Sequence, residues 1–131
     1  MMKKSMLLLL PLLAGGCATT LTNLTPHRQV RNTNNFYTVE VALSSKQQTL
    51  IWGSIKPHVI AGADFIPMHP TPLMTNRWEG LLPVPAGTTR AHYRYKLDFQ
   101  YSAVGAPRDD SIVSKEYTLE IVEPHPADLT Q

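Results

Sequence analysis

Polar and apolar residues alternate with a period of two along most of this chain. From His92 to Tyr101, Tyr93, Tyr95, Leu97, Phe99 and Tyr101 fall on one side, with His92, Arg94, Lys96, Asp98 and Gln100 on the other. Successive side chains of a strand point to opposite faces, so this segment predicts a long strand with one face on a core and the other in water. The same pattern recurs at Tyr37–Leu43, where Tyr37, Val39, Val41 and Leu43 turn inward, and again at Tyr117–Val122. Such alternation belongs to antiparallel sheets, because parallel sheets are covered on both faces and read as continuous apolar runs.

Shorter strands are predicted at Leu50–Trp52, Ile55–Ile60, Phe65–Met68 and Trp78–Val84. Pro57 and Pro67 assign two of these to sheet edges or strand starts, since proline has no N–H for a ladder. The turn signal Pro83-Val84-Pro85-Ala86-Gly87 predicts a hairpin over 78–101, and Val104–Asp110 reads as a loop before the last strands. About seven short strands without helical periodicity predict an all-β fold, an antiparallel β-sandwich of immunoglobulin-like form. The Cys–Trp–Cys spacing of antibody domains is missing, so the likeness is architectural. A small β-barrel is the alternative.

The first residues depart from this pattern. Lys3 and Lys4 precede an apolar run from Met6 to Gly16, which ends at the one cysteine of the chain, Cys17. A bilayer core needs ~20 helical residues, so this run is too short to span and reads as a cleavable signal. Leu13-Ala14-Gly15-Gly16-Cys17 resembles the bacterial lipoprotein box, with Ala14 where leucine is commonest. The resemblance implies cleavage after Gly16 and a diacylglycerol on the Cys17 thiol. Two acyl chains suffice for stable anchoring. Ala18, standing where an aspartate would resemble an inner-membrane retention signal, implies the outer membrane, with the domain facing the periplasm or the cell surface. The expected organisation is therefore a signal at 1–16 and a lipid-anchored tether at 17–35, rich in Thr and Asn. A first edge strand is placed at Leu21–Thr25 within that tether. The sandwich at 36–123 and a tail at 124–131 follow.

Removal of 1–16 takes away Lys3 and Lys4, so ten basic residues face ten acidic ones. A neutral domain has no basic stripe for phosphates, which argues against nucleic acid and against polybasic contact with anionic lipid. With the one thiol consumed by lipid, no disulfide or thiolate metal site is expected, and stability must come from an apolar core.

Candidate chemistry is sparse. His27, His58, His69, His92 and His125 lack metal-ligand spacing, and no Gly-x-Ser-x-Gly elbow surrounds any serine. Asp109-Asp110 lies in a loop, where such residues cap turns. No catalytic residue, metal or cofactor is expected. Trp52 and Trp78 are the candidates for ligand contact, since an exposed indole offers a flat platform to a sugar ring, and core packing is the plainer use of either.

The stretch Arg77–Gly87 running on to Tyr93-Arg94-Tyr95-Lys96-Leu97-Asp98 is similar to glycogen- or starch-binding modules, in its strand, Pro-x-Pro turn and Tyr-x-Tyr-Lys strand. It lacks the Gly-x-Trp that follows there, so the likeness implies shared topology and not a shared sugar platform. Met68, Pro70 and Pro72 belong to a proline-dense, extended segment, Pro67–Leu73, which is the first place to seek a partner surface. The sequence thus predicts a non-enzymatic envelope lipoprotein that contacts an envelope protein, with glycan binding as the alternative.

Overall fold

The alternating segment at Arg90–Tyr101 forms a twelve-residue strand, and the other strands are arranged around it. The computed structural model describes residues 19–125; the expected signal at 1–16, Cys17 and the end of the expected tail lie outside them. In chain order the strands are β1 Thr19–Asn23, β2 Arg28–Val30, β3 Phe36–Ser45, β4 Leu50–Ala61 and β5 Asp64–Pro67. They continue with β6 His69–Pro70, β7 Arg77–Pro83, β8 Arg90–Tyr101, β9 Arg108–Val113 and β10 Tyr117–Val122.

One sheet has the order β1-β3-β7-β6, and the other β2-β10-β8-β4-β5. β9 follows β10's side of β8, opposite β4, with Ser114 as the link: its N–H donates to the Tyr95 carbonyl at 2.9 Å and its hydroxyl accepts from the Tyr95 N–H. This strand order is that of an immunoglobulin sandwich, ABED facing GFCC′, with β2 added in parallel beyond the G position. The sheets do not close on one another, so the barrel alternative does not apply.

The core lies between the sheets. Tyr37, Val39, Val41 and Leu43 of β3 and Trp78 and Leu82 of β7 face Val59 of β4 and Tyr93, Tyr95, Leu97 and Phe99 of β8, with Leu119 and Ile121 of β10 beside them. Burying one such side chain contributes roughly 1.5–3 kcal/mol, which lets a domain without a disulfide hold together.

Three expectations are corrected. The segment 78–101 is not a hairpin: β7 bonds to β3 and β6, β8 to β4, β9 and β10, and the Pro83–Gly87 turn carries the chain from one sheet to the other. Residues 19–35 hold two strands. β1 pairs with β3 from Thr19↔Ser45 to Asn23↔Val41, so the edge strand lies two residues earlier than Leu21–Thr25 and leaves little of the expected tether in the described chain. β9 occupies part of what reads as a loop. Its residues are polar and exposed, so no apolar alternation marks them. Pro57 is tolerated inside β4 because its carbonyl, and hence its nitrogen, faces the end of the β5 ladder, where it accepts from Met68 N–H at 3.0 Å.

A buried polar cluster ties the sheets where the chain leaves β1. Tyr95 Oη donates to Asn23 Oδ1 at 2.7 Å, and Asn23 Nδ2 donates to Tyr93 Oη at 3.0 Å. Thr25 Oγ1 lies 3.0 Å from Tyr95 Oη and accepts from Glu40 N–H at 2.9 Å, while Leu24 N–H donates to the Glu40 carbonyl. Asn23-Leu24-Thr25, which as a sequence matches a glycosylation acceptor, is thus a structural clamp between β3 and β8. Burial, the largest influence, pushes the Tyr95 phenol far above its ordinary value of about 10, and the Thr25 contact only partly offsets this.

Tyr95→Phe should cost roughly 1–3 kcal/mol in denaturant unfolding, because Asn23 and Thr25 would lose a buried partner; a change below ~0.5 kcal/mol would remove the clamp from the account. A phenol whose folded-state pKa is raised stabilises fully below the unfolded value of ~10, and that contribution is lost as pH rises above it. The fall of stability with pH above ~10 should therefore be shallower in Tyr95→Phe than in the parent.

Candidate functional site

The register of β4 against β8 breaks between Ile51 and Lys56. Ser54 fills the break: its hydroxyl donates to the Ile51 carbonyl at 2.6 Å and accepts from Gln100 N–H at 2.8 Å. A regular strand would place Trp52 on the inward face with Leu50, two residues before it. The bulge instead turns the indole outward to 42% exposure, whereas Leu50 stays buried. Beside the bulge, Lys56, Asp98, Gln100, Asp109 and Asp110 line an open cleft of about 380 Å³. Its carboxylates are engaged: Lys96 Nζ meets Asp98 Oδ1 at 3.0 Å, and Gln100 Nε2 donates to Asp109 Oδ1 at 3.0 Å. Asp110 Oδ1 accepts from the Ser111 N–H, so the two neighbouring carboxylates do not converge on one point.

The remaining candidates are dispersed. Trp78 (6% exposed) and Met68 (8%) face the core, correcting their assignment as contact residues. Met68 is the single residue between β5 and β6, where the chain changes sheet, and its side chain lies over Gly80. A Cβ built on Gly80 would come 3.0 Å from Met68 Cγ, so glycine is what makes room for the crossing. Trp52 and Trp78 belong to opposite sheets and cannot form one platform. Pro70, in β6, and Pro72 beyond it are exposed at the end of the first sheet.

Among the described residues no three His, Cys, Asp or Glu side chains gather as metal ligands. His69 Nε2 stands 3.9 Å from Glu79 Oε1, and His92 Nδ1 lies 2.9 Å from Thr118 Oγ1. His58 packs edge-on against Phe65, with its Nδ1 buried and unbonded.

Two loop tips stand out, one at the end of the Pro67–Leu73 segment already singled out as a partner surface and one, at Val104, to which sequence reasoning gave no role. Met74 N–H donates to the Thr71 carbonyl at 3.1 Å, closing a turn with Pro72 second and Leu73 third, and Leu73 has a φ of +66°. Proline second and a positive φ third define a type II turn, whose third position wants glycine. Leucine there costs roughly 1–3 kcal/mol of backbone strain, yet its side chain is fully exposed. Val104, ahead of Gly105 (φ +96°), is equally exposed. The signal available beforehand was a large apolar residue inside a Pro- or Gly-bounded loop.

No protein family and no curated protein matches the chain. Among solved structures, murine CRIg aligns with 81% of this chain and 99% of its own, at 10% identity and a TM-score of 0.40. The immunoglobulin-like assignment rests on the strand order itself.

The two indoles should separate in solution. Trp78→Phe should leave emission from Trp52 that acrylamide quenches readily, and Trp52→Phe should leave a blue-shifted, protected signal. Equal quenching of both would contradict the bulge geometry.

Proposed function

We propose that this protein is a non-enzymatic, lipid-anchored interaction module of a bacterial cell envelope. Cys17 holds it to the outer membrane, and the sandwich makes contact with an envelope or surface component. The observation that carries this reading is the placement of Cys17, the one cysteine, at the end of a charged and apolar leader and two residues before β1. The immunoglobulin-like sandwich suits such a role, since it presents two sheet faces and two sets of loops on a scaffold whose core is independent of them. Ala18 after the cysteine favours the outer over the inner membrane.

A second reading, glycan binding, is favoured by the outward turn of Trp52. It has one indole to work with, because Trp78 is packed inside. Stacking on a single ring would give weak binding, abolished in Trp52→Ala.

Cys17→Ser in the full chain should move the protein from the membrane to the soluble fraction and abolish incorporation of labelled palmitate. Retention in the membrane fraction without label would overturn the anchoring.

A further inference from the structure

The chain enters the described fold at Thr19, paired with Ser45 at the end of β3. Three loops gather at that same end of the sandwich. The 46–49 loop joins β3 to β4, the 71–76 loop leads into β7, and the 102–107 loop joins β8 to β9. Register links them: Leu43 N–H donates to the Asn76 carbonyl, and Ser102 N–H to the Thr49 carbonyl. Cys17 precedes Thr19 by two Cα steps, so its sulfur is confined to within roughly 7 Å plus a side-chain length of this end. The opposite end lies about 30 Å away, the length of β3.

The composition of this end is distinctive. The three loops contain no Asp or Glu, and their one charge is Lys46. Leu73 and Val104 stand fully exposed at two loop tips, Met74 is partly exposed next to Leu73, and Leu73 holds the strained turn described above. The first residues of β7 and β9 at this end are Arg77 and Arg108. Asp109 and Asp110 follow Arg108, so it is the fully exposed apolar tips, and not a net positive charge, that fit a lipid surface, whose acyl boundary takes them. Trp52, turned outward two residues into β4, is of the amphipathic type enriched at the headgroup level.

Resting on the anchoring reading above, we infer that this end of the sandwich is seated in the bilayer interface. The Leu73 and Val104 loops dip into it beside the acylated Cys17, so the domain stands upright on the membrane and is not suspended on a flexible stalk. The occupant of this surface is phospholipid. Both sheet faces and the opposite loops, including Pro85–Gly87, are then left free for a partner.

The test uses the full, acylated protein reconstituted into vesicles of phosphatidylethanolamine and phosphatidylglycerol containing lipid with a nitroxide on its acyl chain. Acylation blocks Cys17, so an introduced cysteine is the one reactive thiol. A fluorescent probe on Thr75→Cys or Ala106→Cys, which leaves Leu73 and Val104 in place, should be quenched several-fold more than one on Ala86→Cys at the far end. Adding Leu73→Ser and Val104→Ser should remove that difference while flotation with vesicles is unchanged. Flotation with equal quenching at all three positions would overturn the seating and leave the anchoring intact. A chain without lipid by mass and without flotation would remove both. Shielding of the tips in native envelopes but not in pure lipid vesicles would assign them to a protein partner and overturn the lipid seating.

Discussion

The placement of the amino-terminal strand rests on the hydrogen-bonded cluster of Asn23, Thr25, Tyr93 and Tyr95 with the Glu40 backbone. The chain crosses there from one sheet to the other, between β1 and β2, and the buried polar groups at the crossing would be costly without partners. Each group satisfies another, so the crossing is locked to both β3 and β8. With one cysteine in the chain, no disulfide can do this work. The cluster fixes β1 against β3, and β1 fixes the end of the sandwich from which the chain runs back to Cys17. The cluster thereby determines at which end of the sandwich the chain enters the described fold.

A division of labour across the molecule follows. Inward positions of both sheets hold the apolar mass. Outward positions carry polar pairs, along a strand for Lys96 with Asp98 and across strands for Arg28 with Glu120, which are open to solvent and add little stability. Apolar residues that break this rule occur on several strands, such as Phe36, Phe65 and Leu81, while the two fully exposed ones, Leu73 and Val104, stand at loop tips. Leu73 is the most telling of them, because a strained backbone there holds an apolar side chain in water, which no packing in the isolated domain repays.

The long strands were legible because their apolar faces are complete: β3, β8 and β10 follow the period of two almost without exception. β1 was placed two residues late, and β2 and β9 were not legible, since edge strands are half solvated and their Arg, Gln, Asp and Ser residues read as linker or loop. The hairpin expected over 78–101 failed because proline and glycine announce a turn but not which sheet the next strand joins. Long-range pairing decides that. Trp52 and Trp78 look alike in sequence, and a bulge closed by the Ser54 hydroxyl, which no periodicity reveals, makes one exposed while the other is buried. The exposure of Leu73 and Val104 was equally hidden, because a single apolar residue in a loop carries no periodicity.

The central claim is that acylation at Cys17 sets the location and orientation of a domain that works by contact. Intact-mass measurement of the mature protein from its native envelope tests this most directly. The account predicts a polypeptide beginning at Cys17 with the added mass of a diacylglycerol or a further acyl chain. A mature chain that begins at any other residue, or that begins at Cys17 with an unmodified thiol, would contradict it.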